Sequence, residues 1–169
     1  MGLPLRFGIV HDFRCPPGCD IPMPRVYAET FEQVELAEQW GLELCWFTEH
    51  HFLDEYSHLS ANDAVIGYLA HATKRIHLGS GIFNPLPQVN HPAKLAERVA
   101  TLDHISQGRF EFGTGRGSSS AEWGGFAIPD APITKDMWQE SLEQIPRMWE
   151  EGPYEFQGKY FRMPNRNVL

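Results

Sequence analysis

Residues 44–52, Leu-Cys-Trp-Phe-Thr-Glu-His-His-Phe, run from an apolar segment straight into a polar one. The nearly continuous apolar half is typical of a parallel strand that is buried on both faces. Three more short runs of this kind occur, so that four strands are predicted to begin near residues 5, 44, 76 and 109. Their spacing of about 32 to 39 residues is that of βα units. The sequence therefore predicts an α/β fold with parallel strands, either a doubly wound sheet or half of an eight-stranded barrel.

The segments between the strands carry apolar residues at helical spacing. The predicted helices run from Pro24 to a stop at Gly41, over residues 64–72, from Pro92 to a stop at Gly108, and over residues 135–150. Ser60 and Asp63 are expected to cap the second helix. Residues 154–161 predict a hairpin around Gln157-Gly158, and residues 163–169 predict coil. We expect a single domain over residues 1–169.

The composition excludes several classes of function. A hydrophobic fraction of 42% and a charged fraction of 21% are those of a soluble globular protein. A net charge of -8 with only 14 scattered basic residues argues against a nucleic-acid partner. No apolar run approaches the roughly 20 residues of a membrane span, and residues 1–10 lack the pattern of a signal peptide. We expect no membrane partner and a cytoplasmic protein.

Two thiols lie in the segment Cys15-Pro-Pro-Gly-Cys19. Such a pair is typical of half a zinc knuckle, but the sequence contains no second pair to complete four ligands. We therefore interpret Cys15 and Cys19 as two thiols in a Pro/Gly loop of a protein from a reducing compartment.

Polar or glycine-rich segments follow all four predicted strands. They are His11-Asp12, Glu49-His50-His51, Ser80-Gly81 and Gly113-Thr-Gly-Arg-Gly117. In parallel α/β folds, functional residues collect at the carboxyl ends of strands. The coincidence of four such segments predicts a site at this edge of the sheet.

The two adjacent histidines allow three interpretations. Neighbouring residues in an extended segment point to opposite faces, so His50 and His51 do not converge easily on one metal ion. We expect no metal. One of them could face inward and transfer protons, since imidazole titrates near neutral pH. Alternatively, both are packing or hydrogen-bonding residues, and the residue chemistry alone leaves these two interpretations open.

The glycine-containing segments at two other strand ends also allow more than one interpretation. Residues 113–117 could bring backbone N–H groups and the Arg116 guanidinium against a phosphate, or form a plain turn. The spacing fits neither the dinucleotide fingerprint nor a Walker loop. Ser80-Gly81 indicates either a close approach of the backbone to a ligand or a β-bulge.

Taken together, four stretches resemble the luciferase-like flavin monooxygenases. They are residues 46–52, 75–82, 91–98 and 102–117, and their order and spacing match over nearly the whole chain. Glu122 and Phe126 continue the match, although Ala127 stands where the family usually has glycine.

The resemblance implies the N-terminal half of a (β/α)8 TIM barrel, about four βα units, that binds reduced FMN and reacts it with O2. The resulting C4a-peroxyflavin would oxygenate a small organic substrate such as an aldehyde, alkane, terpene or sulfur compound. The catalytic residue would be His50, which would transfer protons near the flavin peroxide.

The same resemblance implies which residues bind the cofactor. Ser80 and Gly81 would lie beneath the isoalloxazine ring, beside a cis peptide bond at Ser80-Gly81 or Gly81-Ile82. Arg116 would contact the FMN phosphate, and Gly115, also a predicted cofactor-binding residue, stands where some members carry a reactive cysteine, so no cysteine chemistry is expected there.

A related branch of the family uses the deazaflavin F420 and transfers hydride. Its members usually have Asp-His where this chain has Glu49-His50, which favours FMN. The resemblance also implies a separate NAD(P)H:flavin reductase, and we expect a homodimer. A closed barrel needs roughly 250 residues. A non-catalytic flavin-binding or oligomerising module is therefore the alternative function for 169 residues.

Overall fold

The structure, a computed structural model, describes residues 5–129, 131–150 and 152–168. The chain forms two compact units. The first comprises Met1–Ile82 and Leu102–Gly113, and the second comprises Phe83–Thr101 and Thr114–Leu169. The assignment of residues 1–169 to one domain stays a prediction.

The first unit contains a four-stranded parallel sheet. Its strands are β1 (Gly8–His11), β2 (Leu44–Phe47), β3 (His77–Ser80) and β4 (Phe110–Glu111), paired in that order. Helix α1 (Met23–Gln39) connects β1 to β2, and α2 (Asn62–Ala72) connects β2 to β3. Helix α3 (Pro92–Ser106) leads to β4; it begins in the second unit and ends in the first. The predicted α/β class with parallel strands is confirmed.

One face of this sheet forms the core of the first unit. Cys45 and Phe47 of β2 are fully buried, as are Ile66 and Leu69 of α2. Leu44 and Trp46, on the opposite face of β2, are only half-buried. The prediction that β2 is buried on both faces was therefore wrong, because only one face of the strand packs into the core.

The second unit is built around the C-terminal helices and a hairpin. Helices α4 (Ser120–Gly125) and α5 (Ile133–Glu150) precede the antiparallel strands β5 (Tyr154–Gln157) and β6 (Arg162–Arg166). Leu86, Ile128 and Met137 form its buried cluster. None of the helices within the described ranges is long and apolar enough to cross a membrane.

The start of α2 differs from the prediction. Its N-cap is Ala61, which makes no side-chain cap, and the Asp63 carboxylate instead accepts a hydrogen bond from the N–H of Ala64 at 2.9 Å. Asn62, the first helical residue, has its side chain buried in the core. The helix therefore begins without the cap that the sequence predicts from Ser60 and Asp63, and its first residue, Asn62, packs into the core.

The hairpin also differs, because its second strand lies beyond the predicted turn. Residues 158–161 form the turn, in which Gly158 N–H donates to Phe161 O at 3.0 Å. The Glu140 carboxylate of α5 accepts hydrogen bonds from the N–H groups of Lys159, Tyr160 and Phe161, at 2.8, 2.9 and 3.2 Å. This helix-borne acceptor stabilises a four-residue turn, so β6 covers residues predicted to be coil.

In the first unit, a helix glutamate likewise accepts hydrogen bonds from the backbone of a turn, the one before β3. The Glu38 carboxylate of α1 accepts hydrogen bonds from the N–H groups of Lys74, Arg75 and Ile76, at distances of 2.6 to 3.1 Å. Burial alone would raise the pKa of Glu38, but the three N–H donors and the Arg75 charge outweigh burial and lower it. The ionised carboxylate therefore stabilises the turn.

Candidate active site

The ends of the parallel strands in the first unit meet at one edge of the sheet. His11, Phe47 and Ser80 are register partners on β1, β2 and β3. The Phe47 carbonyl oxygen accepts hydrogen bonds from Gly81 N–H at 2.8 Å and from Asn62 Nδ2 at 3.2 Å. The three strand ends are thus joined to each other and to α2, and residues 48–51 leave the sheet from this junction.

The segment that carries the two histidines is attached at both ends. Thr48 donates to the His11 carbonyl oxygen from its N–H at 3.2 Å and from its hydroxyl at 3.3 Å. The His50 N–H donates to Leu59 O at 2.9 Å. His50 therefore sits on a loop whose backbone is fixed to the sheet.

His50 and His51 have different surroundings. Nε2 of His51 lies 3.3 Å from Oε1 of Glu49, whose side chain is only 7% exposed. The half-buried ring of His50 packs edge-on against Tyr56, with centroids 5.4 Å apart. Within the described ranges, no three His, Cys, Asp or Glu side chains are grouped so as to hold a metal. The pairing of His51 with Glu49 makes the two histidines chemically unequal.

The sequence places a third histidine, His11, in one of the four strand-end segments but gives it no role, and the structure places it at the end of β1. The His11 ring stacks on Phe47 with centroids 5.9 Å apart, and its buried Nε2 has no hydrogen-bond partner in the described part of the chain. Burial lowers the pKa of His11, and Asp12 opposes this shift only in part. Burial thus favours the neutral form of the His11 imidazole. Its position after an apolar strand was the available signal, but its missing partner depends on tertiary packing.

Ser80 bridges β3 to Gly113, two residues beyond the end of β4. Its hydroxyl donates to Gly113 O at 2.9 Å and accepts from Gly113 N–H at 3.1 Å, and the residue is fully buried. The hydroxyl is therefore used within the fold. The next peptide bond, Gly81-Ile82, is cis, and it is one of the two bonds for which this was predicted.

The Trp46 indole occupies the half-exposed face of the sheet. A Cβ atom added to Gly79 would overlap the indole ring, and one added to Gly113 would lie 3.1 Å from Cζ3 of the same ring. The indole therefore requires glycine at position 79 of the neighbouring strand β3, whereas the nearest obstacle to a side chain at position 113 is the carbonyl oxygen of Ser80.

Asn62 was missed by sequence reasoning. Its side chain is fully buried and contributes Nδ2 to the Phe47 carbonyl, while its buried Oδ1 has no hydrogen-bond partner among the described residues. An asparagine at a helix start predicts a cap, so its sequence context gave no sign that it would turn into the core.

Gly115 and Arg116 belong to the second unit. The N–H of Gly115 donates to Phe83 O at 3.3 Å. Arg116 is exposed, and its Nη1 donates to the Thr134 hydroxyl at 2.9 Å and to Ala131 O at 3.3 Å. The guanidinium is thus held at the start of α5, and the phosphate-binding role of both residues stays a prediction.

The model of one protein family, described as luciferase-like monooxygenase, matches residues 5–168. The chain belongs to this family. The oxygenase component of the flavin-dependent trigonelline monooxygenase of Acinetobacter baylyi is 32% identical to it over 143 residues, which are 83% of the chain and 38% of that relative.

Solved structures of luciferase-like enzymes share the fold. The monooxygenase RslO1 from Streptomyces bottropensis superimposes with a TM-score of 0.88 at 28% identity, covering 98% of this chain and 49% of that one. The coenzyme F420 dependent tetrahydromethanopterin reductase from Methanopyrus kandleri gives 0.74 at 28% identity, covering 99% and 46%. The chain thus corresponds to half of a luciferase-like TIM barrel. It spans about 40% to 50% of the length of these relatives, which include both flavin-dependent and F420-dependent enzymes.

Proposed function

We propose that this chain contributes the N-terminal part of an FMN-dependent monooxygenase, which uses reduced FMN and O2 to oxygenate a small organic molecule. The observation that carries the proposal is the edge of the sheet where His11 and the His50 loop meet. A buried polar atom normally has a partner, and the unpartnered Nε2 of His11 fits a polar group of a bound cofactor. Reduced FMN would supply the electrons that activate O2.

The side chains at this edge divide into a proton carrier and its supports. His50 holds and transfers a proton at its imidazole, because its backbone is anchored to Leu59 and its ring is oriented by Tyr56. Glu49 pairs with His51, and the family resemblance assigns proton transfer to His50. Gly81 would offer the flavin ring a surface without a side chain, and the Ser80 hydroxyl fixes the neighbouring backbone by its two hydrogen bonds to Gly113.

The roles of Arg116, of Gly115 and of a partner reductase are proposed from the family and from the charge of the arginine. The exposed Arg116 guanidinium is suited to the FMN phosphate, with Gly115 as its neighbour. A separate NAD(P)H:flavin reductase would supply the reduced cofactor, as the name of the trigonelline oxygenase component implies for that relative. The assembly would be a cytoplasmic homodimer.

The experiment begins with binding. FMN, oxidised and photoreduced, is titrated into the purified chain, with quenching of flavin and tryptophan fluorescence as the measurement. Photoreduced FMN is then mixed with O2 and a panel of aldehydes, alkanes, terpenes and sulfides, and the products are identified by mass spectrometry with ¹⁸O2. We expect flavin binding and incorporation of one labelled oxygen atom.

Variants of the two adjacent histidines provide the matched pair. His50→Ala should lower turnover by roughly 10²- to 10⁴-fold, the usual contribution of a general acid–base, with flavin affinity retained. His51→Ala removes the ring that pairs with Glu49 and should change turnover far less. Equal effects of the two substitutions would contradict the role given to His50.

Two alternatives are distinguished by the same titrations. The similarity to an F420-dependent reductase supports an F420-dependent oxidoreductase as the second candidate. Tighter binding of F420 than of FMN, with hydride transfer and no labelled oxygen in the product, would select it. FMN binding without any turnover would indicate a non-catalytic flavin-binding or oligomerising module.

A further inference from the structure

The connection between β1 and α1 carries two thiols that the proposed reaction does not use. Cys15 and Cys19 are free and only half-buried. The third cysteine, Cys45, is free as well but fully buried. The connection therefore carries two accessible thiols. The buried thiol of Cys45 in β2 serves as an internal control that reagents do not reach.

A tight turn brings the two thiols together. Cys19 N–H donates to Pro16 O at 3.0 Å. Pro17 and Gly18 occupy the two central positions, and Gly18 has a φ of 82°. Proline followed by a residue of positive φ is the pattern of a type II turn. The chain reverses between Cys15 and Cys19, so the two side chains emerge on the same side.

The sulfur atoms converge on one acceptor. Sγ of Cys15 lies 3.1 Å from the carbonyl oxygen of Ile21, and Sγ of Cys19 lies 4.0 Å from the same oxygen. Burial raises the pKa of Cys15, and so do the charge and hydrogen bond of the Cys19 sulfur. Both sulfur atoms therefore lie within 4.0 Å of one carbonyl oxygen.

One side of the pair is fixed to the fold. The N–H of Cys15 donates to Nδ1 of His58 at 3.1 Å. His58 precedes Leu59, whose carbonyl anchors the loop of His50. Because Cys15 is held while the turn positions Cys19, little chain entropy remains to be lost when the sulfurs are joined.

We propose that Cys15 and Cys19 form a reversible intramolecular disulfide, a redox site whose oxidant is a low-molecular-weight disulfide such as oxidised glutathione. The thiolate of Cys19 attacks one glutathione sulfur and releases the first glutathione thiolate. Cys15 then loses its proton and attacks Sγ of Cys19, which releases the second. Two protein thiols are oxidised, one glutathione disulfide is reduced, and the two protons pass to the departing thiolates.

The order of attack follows from the surroundings of the two thiols. The Cys15 thiol donates to Ile21 O at 3.1 Å, whereas Sγ of Cys19 lies 4.0 Å from that oxygen, so the Cys19 sulfur is the less restrained of the two. Cys19 is therefore the attacking residue and Cys15 the resolving one. Cys45 takes no part, because full burial excludes reagents and strongly raises the pKa of its thiol.

The experiment equilibrates the folded chain in glutathione buffers of increasing oxidised fraction, followed by acid quenching, alkylation and mass spectrometry. We expect a monomer that has lost two hydrogens, with Cys15 and Cys19 protected from alkylation and Cys45 still reduced. Cys15→Ser should retain a glutathione adduct on Cys19, and Cys45→Ser should behave like the wild type. Stable adducts on both loop cysteines, or only intermolecular disulfides, would overturn the proposal.

A second variant tests the turn itself. Gly18→Ala places a Cβ in the left-handed region, where an L-residue is disfavoured by an amount equivalent to about 5- to 30-fold. The equilibrium constant for closing the disulfide should fall by about that factor, while the circular dichroism of the fold is unchanged. An unaltered constant would show that the turn does not position the thiols and would refute the geometric argument.

Discussion

Replacement of Ser80 by alanine tests whether this predicted cofactor residue serves the fold instead. The Ser80 hydroxyl makes two hydrogen bonds to the backbone of Gly113, and the residue is 0% exposed. Alanine leaves a donor and an acceptor of Gly113 without that partner, and each costs about 1–2 kcal/mol, the lower part of the range for unmet buried groups, because Gly113 is only half-buried. We expect the free energy of unfolding to fall by about 2–4 kcal/mol without flavin. At about 2–4 °C per kcal/mol for a chain of this size, Tm should fall by roughly 4–16 °C.

Ser141 provides a matched control for this experiment. It is also 0% exposed, but its hydroxyl has no hydrogen-bond partner among the residues described. Ser141→Ala removes a polar group that lacks compensation, so stability should stay within about 0.5 kcal/mol or rise by about 1 kcal/mol. Urea unfolding followed by circular dichroism measures both variants. If Ser80→Ala and Ser141→Ala shift the midpoint equally, hydrogen bonding does not explain the role of Ser80, and the reasoning is refuted.

Three further outcomes are expected. Glu38→Gln should lower the free energy of unfolding by about 1–3 kcal/mol at neutral pH. Because the pKa of Glu38 is lowered in the folded state, the stability difference between wild type and variant should be lost as the pH falls from about 4.3 through the folded-state pKa. A stability difference in acid equal to that at neutral pH would contradict this prediction. Glu140→Gln should speed hydrogen exchange of the Tyr160 amide. Unchanged protection of that amide would show that the Glu140 carboxylate does not stabilise the turn. The pKa of His11 is lowered by burial, so stability should decrease as the pH falls below about 6.5. In urea unfolding at several pH values, the free energy of unfolding of His11→Phe should fall less in acid than that of the wild type. The same pH profile in both proteins would contradict a lowered pKa of His11.

Features that repeat along the chain could be predicted from the sequence. Leu95, Val99 and Leu102 of α3 recur at helical spacing, and all three are buried. The four apolar runs became four parallel strands because each of the first three is followed by a helix long enough to cross back over the sheet. The polar ends of the strands marked the edge where the candidate site lies.

What could not be predicted depends on single contacts between distant residues. Helix α4 has only six residues, three of them glycine or serine, and Ser119 caps it by accepting a hydrogen bond from Ala121 N–H at 3.2 Å. Strand β6 has one buried residue, Met163, and its turn relies on Glu140 about 20 positions earlier. No local periodicity reports such contacts.

The contact between Trp46 and Gly79 of the neighbouring strand has an evolutionary consequence. The indole fills volume that a side chain at position 79 would otherwise occupy, so the two positions are not free to vary one at a time. A lineage that acquired a larger residue at position 79 would first have to shrink residue 46. Across the family, the sizes of these two residues should therefore change together, as a correlated pair on adjacent strands.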